Sequence, residues 1–189
     1  MHRTIKTLTT LILCMALAGC ASSGTRYLHP NADLGSLKRV AVLPFENVSG
    51  AQAASDKVHK IFLVELLSME IFEVVEPGQV SRAVRSENAS SPDQLTPDDF
   101  KRLGKAMNAD ALFLGQVVDF QEVRSAAATA PEVTLQFRLV ETASGATVWS
   151  SSETRAGVKA STRLFGTRSE SVTEATRKVI RKQLASLLE

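Results

Sequence analysis

A short apolar run constrains the fold of this chain more than any other feature of its sequence. Residues 38–45 read Lys-Arg-Val-Ala-Val-Leu-Pro-Phe, and the run from Val40 to Leu43 contains no polar position. A half-exposed strand would alternate between apolar and polar residues, so this pattern is typical of a strand that is covered on both faces. Pro44 ends the strand, because proline cannot donate to a sheet ladder. The chain therefore has to supply elements that cover both sides of a sheet.

The rest of the sequence supplies those elements in an alternating order. Apolar residues at helical spacing predict a long helix over 53–70 and a final helix over 168–188. Two shorter helices begin with proline at the first helical position, at Pro77 and at Pro97. Thr96 is predicted to cap the second of them, with the carboxylates of Asp98 and Asp99 at its positive end. Strands are predicted over 71–75, 111–120, 133–141 and 146–155, and the last two form a hairpin. This order predicts one α/β domain in three layers, a mixed sheet of about five strands flanked by about four helices.

The N-terminus has the layout of a secretory signal peptide. A basic start leads into an apolar run from Leu8 to Ala18, which is too short to span ~30 Å of hydrocarbon. The run ends in Leu17-Ala18-Gly19-Cys20, and this ending resembles the bacterial lipobox. By that resemblance a peptidase cuts before Cys20, and Cys20 becomes the acylated first residue of the mature chain. The alternative is an ordinary signal peptide with a chance cysteine.

This interpretation divides the chain into three parts. Residues 1–19 are a signal peptide that is removed, residues 20–37 are the lipidated Cys20 with a flexible tether, and residues 38–189 are a periplasmic α/β domain. The tether is predicted from Ser, Gly, Asn and Pro without a hydrophobic period. The acyl chains of Cys20 attach the chain to a membrane. Ala21 stands where Asp would resemble an inner-membrane retention signal, so for a Gram-negative source we expect a periplasm-facing anchor in the outer membrane.

Composition argues against several classes of function. The formal net charge of +2 includes Arg3 and Lys6 of the signal peptide, so the mature chain is nearly neutral and no nucleic-acid partner is expected. Cys14 is removed with the signal peptide, so the mature chain can form no internal disulfide. His29 and His59 do not have metal-ligand spacing, and His59 is most simply a surface or satisfied helix residue. The sequence contains no nucleophile elbow or phosphate-binding loop. We therefore expect no catalytic residue, metal, cofactor or small-molecule substrate.

Two apolar pairs are candidate contacts with a partner or a membrane. Leu63 and Leu67 lie on a second apolar arc of the long helix, which is either sandwiched inside the domain or half of an interface. Leu164 and Phe165 stand among small and polar residues in the predicted loop 157–167. That loop is either tucked onto the core or in contact with a membrane or a partner.

The polar side of the final helix carries four cations, which are Arg177, Lys178, Arg181 and Lys182. A cluster of this kind is either a solvated helix face or a docking site. If the cluster docks anything, its charge favours anionic lipid headgroups or an acidic partner.

Three segments, taken together and in order, resemble one protein family. They are residues 39–50 (Arg-Val-Ala-Val-Leu-Pro-Phe-Glu-Asn-Val-Ser-Gly), 72–76 (Phe-Glu-Val-Val-Glu) and 140–150 (Val-Glu-Thr-Ala-Ser-Gly-Ala-Thr-Val-Trp-Ser). They resemble the lipoprotein family around the curli-secretion protein CsgG and the peptidoglycan-synthase activator LpoB. The resemblance implies a fold similar to the N-terminal domain of TolB and a non-enzymatic periplasmic domain that acts through protein contacts.

The sequence also departs from both of these relatives. A CsgG-type channel builds its pore from membrane-spanning hairpins with ~9–11 residues in each strand, and the segments 122–132 and 157–167 are too short for that. LpoB-like activation requires a long disordered reach, whereas the tether here is short. The sequence thus favours an envelope assembly or scaffold lipoprotein that oligomerises or docks an envelope protein. The alternatives are an LpoB-like activator of a peptidoglycan synthase and, third, a subunit of a CsgG-type secretion apparatus.

Overall fold

The computed structural model describes residues 24–89, 92–124, 129–157 and 170–188. Within these ranges the chain forms seven strands and four α-helices, which confirms the predicted mixed α/β fold. The strands are β1 (Gly24–Leu28), β2 (Arg39–Val42), β3 (Glu46–Asn47), β4 (Glu73–Val74), β5 (Ala111–Arg124), β6 (Thr129–Glu141) and β7 (Thr147–Ala156). The helices are α1 (Ala54–Leu67), α2 (Pro77–Ser86), α3 (Pro97–Met107) and α4 (Val172–Ala185).

The strands form one mixed sheet in the order β1-β7-β6-β5-β2-β4, with β3 beside β5. Strand β2 pairs in parallel with β4 on one side and with β5 on the other. The pairs β5–β6, β6–β7 and β7–β1 are antiparallel. Val40, Ala41 and Val42 are all buried, which confirms that the apolar run of the second strand is covered on both faces.

Helices cover the two faces of the sheet and divide the core into two clusters. On one face α1 and α4 pack on a set of large side chains that includes Phe113, Phe137 and Trp149. On the other face α2 and α3 pack on a set that includes Leu43 and Leu112. The helix start predicted at Thr96 is a capping box, in which the Thr96 hydroxyl accepts from the Asp99 amide and the Asp99 carboxylate accepts from the Thr96 amide.

The structure differs from the sequence prediction over residues 24–37. Gly24–Leu28 is an edge strand that pairs with β7 from Gly24↔Glu153 to Leu28↔Trp149. A 3₁₀ turn follows at Leu34–Ser36, and Leu37 is buried in the core. The predicted flexible tether is therefore wrong for these residues. The side chains of β1 are all exposed, so backbone pairing holds this strand in place and leaves no hydrophobic period in the sequence.

The strands β5 and β6 are also longer than predicted. Residues 122–132 were expected to be a connection, but β5 continues to Arg124 and β6 begins at Thr129. The difference between the five expected strands and the seven observed is due to β1 and the two-residue β3. The extension pairs residues of the two strands with each other, from Phe120↔Val133 to Arg124↔Thr129.

Candidate contact surface

Helix α1 buries one side against the sheet and leaves the opposite side in solvent. Val58, Phe62 and Leu66 are fully buried or nearly so. The Phe62 ring lies 4.6 Å from the Phe137 ring and 5.3 Å from the Phe113 ring, measured between centroids. These contacts fix the rotation of the helix about its axis and so decide which residues point outward.

The solvent side of α1 carries two large apolar residues one turn apart. Val64 is 63% exposed and Leu67 is 55% exposed. Leu63, the other predicted contact residue, is partly buried and packs against the core, so the sandwiched alternative applies to it. Leu67 is exposed as the interface alternative requires. Val64 and Leu67 together form what is called here the α1 patch.

The predicted basic face of α4 is engaged in ion pairs with carboxylates of the same domain. Glu65 of α1 is buried, and its two carboxylate oxygens lie 2.6 Å from Arg181 Nε and 3.2 Å from Arg177 Nε. These pairs bridge α1 and α4. The docking alternative for this face is weakened, because the two arginines already bind a carboxylate that has little access to water.

The two lysines of the same face are paired as well. Lys182 Nζ lies 2.7 Å from Glu153, and Lys178 Nζ lies 2.7 Å from Glu170 and 2.8 Å from Glu174. Hydrogen bonds to Glu170 and Glu174 raise the pKa of Lys178 to about 12. Burial pushes the pKa of Glu170 upward, but the hydrogen bonds from Lys178 and from a neighbouring arginine outweigh it, so that pKa is lowered.

A cavity of about 290 Å³ opens between α1 and α4 beside the Glu65 ion pairs. Met69 and Leu184 give it an apolar wall, and Arg181 gives it a charged rim. Leu188, which follows α4, is 67% exposed at its mouth. This cavity and the α1 patch lie on neighbouring sides of one helix, so a partner that covers the cavity can also reach the patch.

The opposite face of the sheet carries a second cavity, of about 260 Å³, with both polar and apolar residues in its walls. Gln116 donates to Glu46 at 3.2 Å, and Arg138 donates to the Pro92 carbonyl at 3.3 Å. Ser150 donates to the carbonyl of Phe137. The first of these bonds joins two side chains, and the other two donate to backbone carbonyls.

His59 differs from the surface or satisfied helix residue that the sequence suggested. Its ring lies edge-on against Phe45, 4.9 Å between centroids, and its buried Nε2 atom has no hydrogen-bond partner among the described residues. Burial lowers its pKa, against the opposing effect of a hydrogen bond to the Val42 backbone. Among the residues that the structure describes, no three His, Cys, Asp or Glu side chains come together as metal ligands.

Some predicted residues lie where the structure makes no statement. Cys20, Leu164 and Phe165 are outside the described ranges, so their predicted roles stay predictions. In the part of the chain that is described, no helix combines the length and the apolar character needed to cross a bilayer. The sequence analysis did not single out Glu65, although a lone carboxylate between apolar Val64 and Leu66 is a usable signal for a buried ion pair.

Comparison with known proteins gives similarity of structure at low sequence identity. No family model and no curated protein matches the sequence. The chain is similar to the PelC dodecamer from Paraburkholderia phytofirmans, with 19% identity and a TM-score of 0.61, covering 88% of this chain and 97% of that one. It is similar to lipoprotein GNA1162 from Neisseria meningitidis, with 16% identity and a TM-score of 0.55, covering 79% of this chain and 99% of that one.

A third solved structure bears directly on the resemblance found in the sequence. The C-terminal domain of LpoB from Escherichia coli is 17% identical, with a TM-score of 0.50, and the match covers 67% of this chain and 88% of that one. At this level of identity the likeness establishes a shared fold. The LpoB-like part of the resemblance is thereby confirmed for the fold, and the CsgG part stays a prediction.

Proposed function

We propose that this chain is a lipid-anchored, non-catalytic scaffold lipoprotein of the bacterial envelope that works by associating with copies of itself. Cys20 is its acylated anchor, and the domain from β1 onward faces the periplasm on the outer membrane. The observation that carries the proposal is the fold that the chain shares, over 88% of its length, with a protein that assembles as a dodecamer. The likeness to a Neisseria lipoprotein supports the lipid-anchored part of the proposal.

The α1 patch is the surface proposed to meet the next copy. Val64 and Leu67 expose apolar area that costs free energy in water, at roughly 25 cal/mol per Å². They sit on a helix whose opposite side is firmly packed, so a contact on them does not disturb the core. In the second cavity, on the other sheet face, Gln116 and Arg138 already donate within the domain, so that cavity offers less to a neighbouring copy.

Activation of a peptidoglycan synthase in the manner of LpoB is the second candidate function. The shared fold with the LpoB C-terminal domain favours it. The resemblance requires a long disordered reach, however, and β1 begins only four positions after Cys20. The free chain between Cys20 and the domain is therefore even shorter than the predicted tether, and this candidate function is weakened further.

The size of the soluble domain in solution tests the proposal. Sedimentation velocity of the chain from Ala21 onward is expected to reveal an assembly of several copies. Leu67→Asp should shift the assembly to monomer, because a carboxylate in an apolar contact is desolvated without a partner. Val48→Asp is the matched control, since Val48 is similarly exposed, at 60%, but lies in the loop after β3.

A monomeric wild type at high concentration would contradict self-association and leave docking of another envelope protein as the mode of action. Equal loss of assembly in both variants would contradict the choice of the α1 patch. The anchor is tested separately: mass spectrometry of the mature protein should find acyl chains on Cys20, and Cys20→Ala should release the protein from the membrane fraction.

A further inference from the structure

Strand β1 forms one edge of the sheet, and no strand in the described part of the chain pairs with its outer side. On its inner side, just past the end of β1, the His29 amide donates to the Val148 carbonyl at 2.9 Å. Bonding residues alternate along an antiparallel strand, so Tyr27 and Thr25 bond to β7 in the same way. The residues between them direct their N–H and C=O groups outward, and these residues are Gly24, Arg26 and Leu28.

The composition of β1 leaves this edge open to a further strand. Sheet edges are usually protected by proline, lysine, a bulge or a very short edge strand. Gly24–Leu28 pairs with β7 without a register shift and contains neither proline nor lysine. Two of its large side chains, Tyr27 and Leu28, are exposed beside the unpaired backbone. The opposite edge of the sheet is β4, which is only two residues long. β1 is therefore the edge on which another strand can pair at length.

The proposed assembly of several copies requires a second contact. When the α1 patch of one copy meets the α1 patch of the next, a two-fold axis closes the contact and joins two copies. A larger closed assembly forms when each copy also has a second, different contact. An edge strand can supply it, because two antiparallel copies of one strand are related by a two-fold axis that places donors opposite acceptors.

We propose that β1 pairs antiparallel with β1 of a second copy, so that the sheets of the two copies continue into one another. This inference rests on the self-association in the proposed function and adds its second contact. In the register centred on Arg26, that residue lies opposite its own counterpart, and Gly24 lies opposite Leu28 of the second copy. All the outward N–H and C=O groups are then bonded, in roughly six hydrogen bonds. Any other register leaves some of these groups unpaired.

The side chains of β1 suit this register. Thr25 lies opposite Tyr27 of the second copy, and a β-branched residue beside an aromatic one is a favourable cross-strand pair. The two Arg26 residues are like charges placed opposite each other. However, Nη1 of Arg26 donates to the carbonyl of Ser186 at 3.2 Å, just past the end of α4. This bond turns each guanidinium toward its own copy and away from its counterpart.

The contact between two β1 strands is weak by itself. Each backbone hydrogen bond replaces a bond to water, and association has its own entropic cost. The contact therefore holds where the α1 patch already keeps copies together. Leu67→Asp is still expected to yield monomers, whereas loss of the β1 contact alone should leave pairs of copies.

Disulfide formation in whole cells that export the full protein tests the register. Arg26→Cys places a thiol at the two-fold axis, where the two Cα atoms are about 5.5 Å apart and a disulfide can form. Leu28→Cys is the matched control on the same strand and sheet face, because the two copies of residue 28 are about 14 Å apart in this register. After mild oxidation we expect at least about five-fold more linked dimer at residue 26 than at residue 28. Wild type, run alongside, shows whether Cys20 supplies a thiol.

A second pair of variants tests the backbone hydrogen bonds. Arg26→Pro removes the outward N–H at the centre of the contact, and an edge strand tolerates proline where the N–H faces solvent. Arg26→Ala is the matched control, because it removes the same side chain and its bond to Ser186 but keeps the N–H. In sedimentation velocity on the full protein in detergent, Arg26→Ala should match the wild-type assembly. Arg26→Pro should reduce the assembly to pairs.

Several results would overturn the inference. Equal amounts of dimer at residues 26 and 28 mean chance collision, and an intact assembly in Arg26→Pro means that β1 is not a contact. A thiol at residue 26 that is shielded from maleimide but forms no dimer means that another protein covers the edge. Failure of the proposed function is recognised separately. In that case Leu67→Asp leaves the assembly unchanged, whatever the amount of dimer at residue 26.

Discussion

Replacing Phe62 by alanine tests how firmly α1 is held, and with it every statement about which side of the helix faces outward. Phe62 is fully buried, and its ring centroid lies within 5.3 Å of those of Phe45, Phe113 and Phe137. The substitution removes the buried apolar area of the Phe62 ring. It also leaves a cavity, because the three neighbouring rings cannot move in to contact the remaining methyl group. Such substitutions cost about 3–5 kcal/mol, a large part of the 5–15 kcal/mol that holds a typical domain together.

The assay is unfolding by urea and by heat, monitored by circular dichroism, on the chain from Ala21 onward. For a domain of this size a loss of about 4 kcal/mol lowers Tm by roughly 10–15 °C. Val64→Ala is the matched control, because it removes an apolar side chain two residues away on the exposed side of the same helix. Both variants are measured at a dilution at which the chain is monomeric, so that the contact proposed for Val64 between copies does not contribute. Its free energy of unfolding should change by no more than about 0.5 kcal/mol.

Similar losses in the free energy of unfolding for Phe62→Ala and Val64→Ala would refute the orientation assigned to α1. A loss below about 1.5 kcal/mol for Phe62→Ala is outside the range for a filled aromatic site. A large loss for Val64→Ala would mean that this residue is covered in the monomer. Either result would mean that α1 is rotated relative to the sheet, and the α1 patch would then not exist as described.

Two further predictions concern a charged and a titratable side chain of the same helix. Glu65→Gln should lower the free energy of unfolding by about 1–2 kcal/mol, because it removes two charge-assisted pairs but leaves arginines that can return to water. Glu70→Gln is the control on an exposed residue nearby, and it should change the free energy of unfolding by less than about 0.5 kcal/mol. Equal losses in the two variants would contradict the burial of Glu65. The pKa of His59 is lowered by burial, so below pH 6.5 the unfolded chain gains a proton that the folded chain refuses, and stability falls from pH 7.5 to pH 5.5. His59→Gln should flatten that part of the urea-midpoint profile, and an unchanged profile would show that His59 is not responsible.

The sequence predicted those elements whose side chains carry the information. The run Val40–Leu43 predicted a buried central strand because its burial needs apolar residues on both faces. Thr96 and Asp99 predicted a helix start because capping is a local interaction between neighbours. Each of these signals can be read within a few residues of the element that it describes.

The edge strand β1 and the contacts of α4 could not be predicted in this way. β1 is defined by hydrogen bonds to β7, and every one of its side chains is exposed, so its sequence looks like a linker. The cations Arg177 and Arg181 look like a solvated helix face until α1 places Glu65 beneath them. Partners that are distant in sequence decide both features, and a single sequence does not record which distant residues meet.

The pairing of β1 with β7 has a consequence for the order of folding. Gly24 and Glu153 are neighbours in the sheet but lie 129 residues apart in the chain. A polypeptide that is synthesised N-terminus first at ~5–20 residues per second leaves β1 without its partner strand for on the order of 10 s. During that time the backbone groups of β1 that later bond to β7 are open to water or to another strand. The first strand of the chain is therefore among the last to join the sheet.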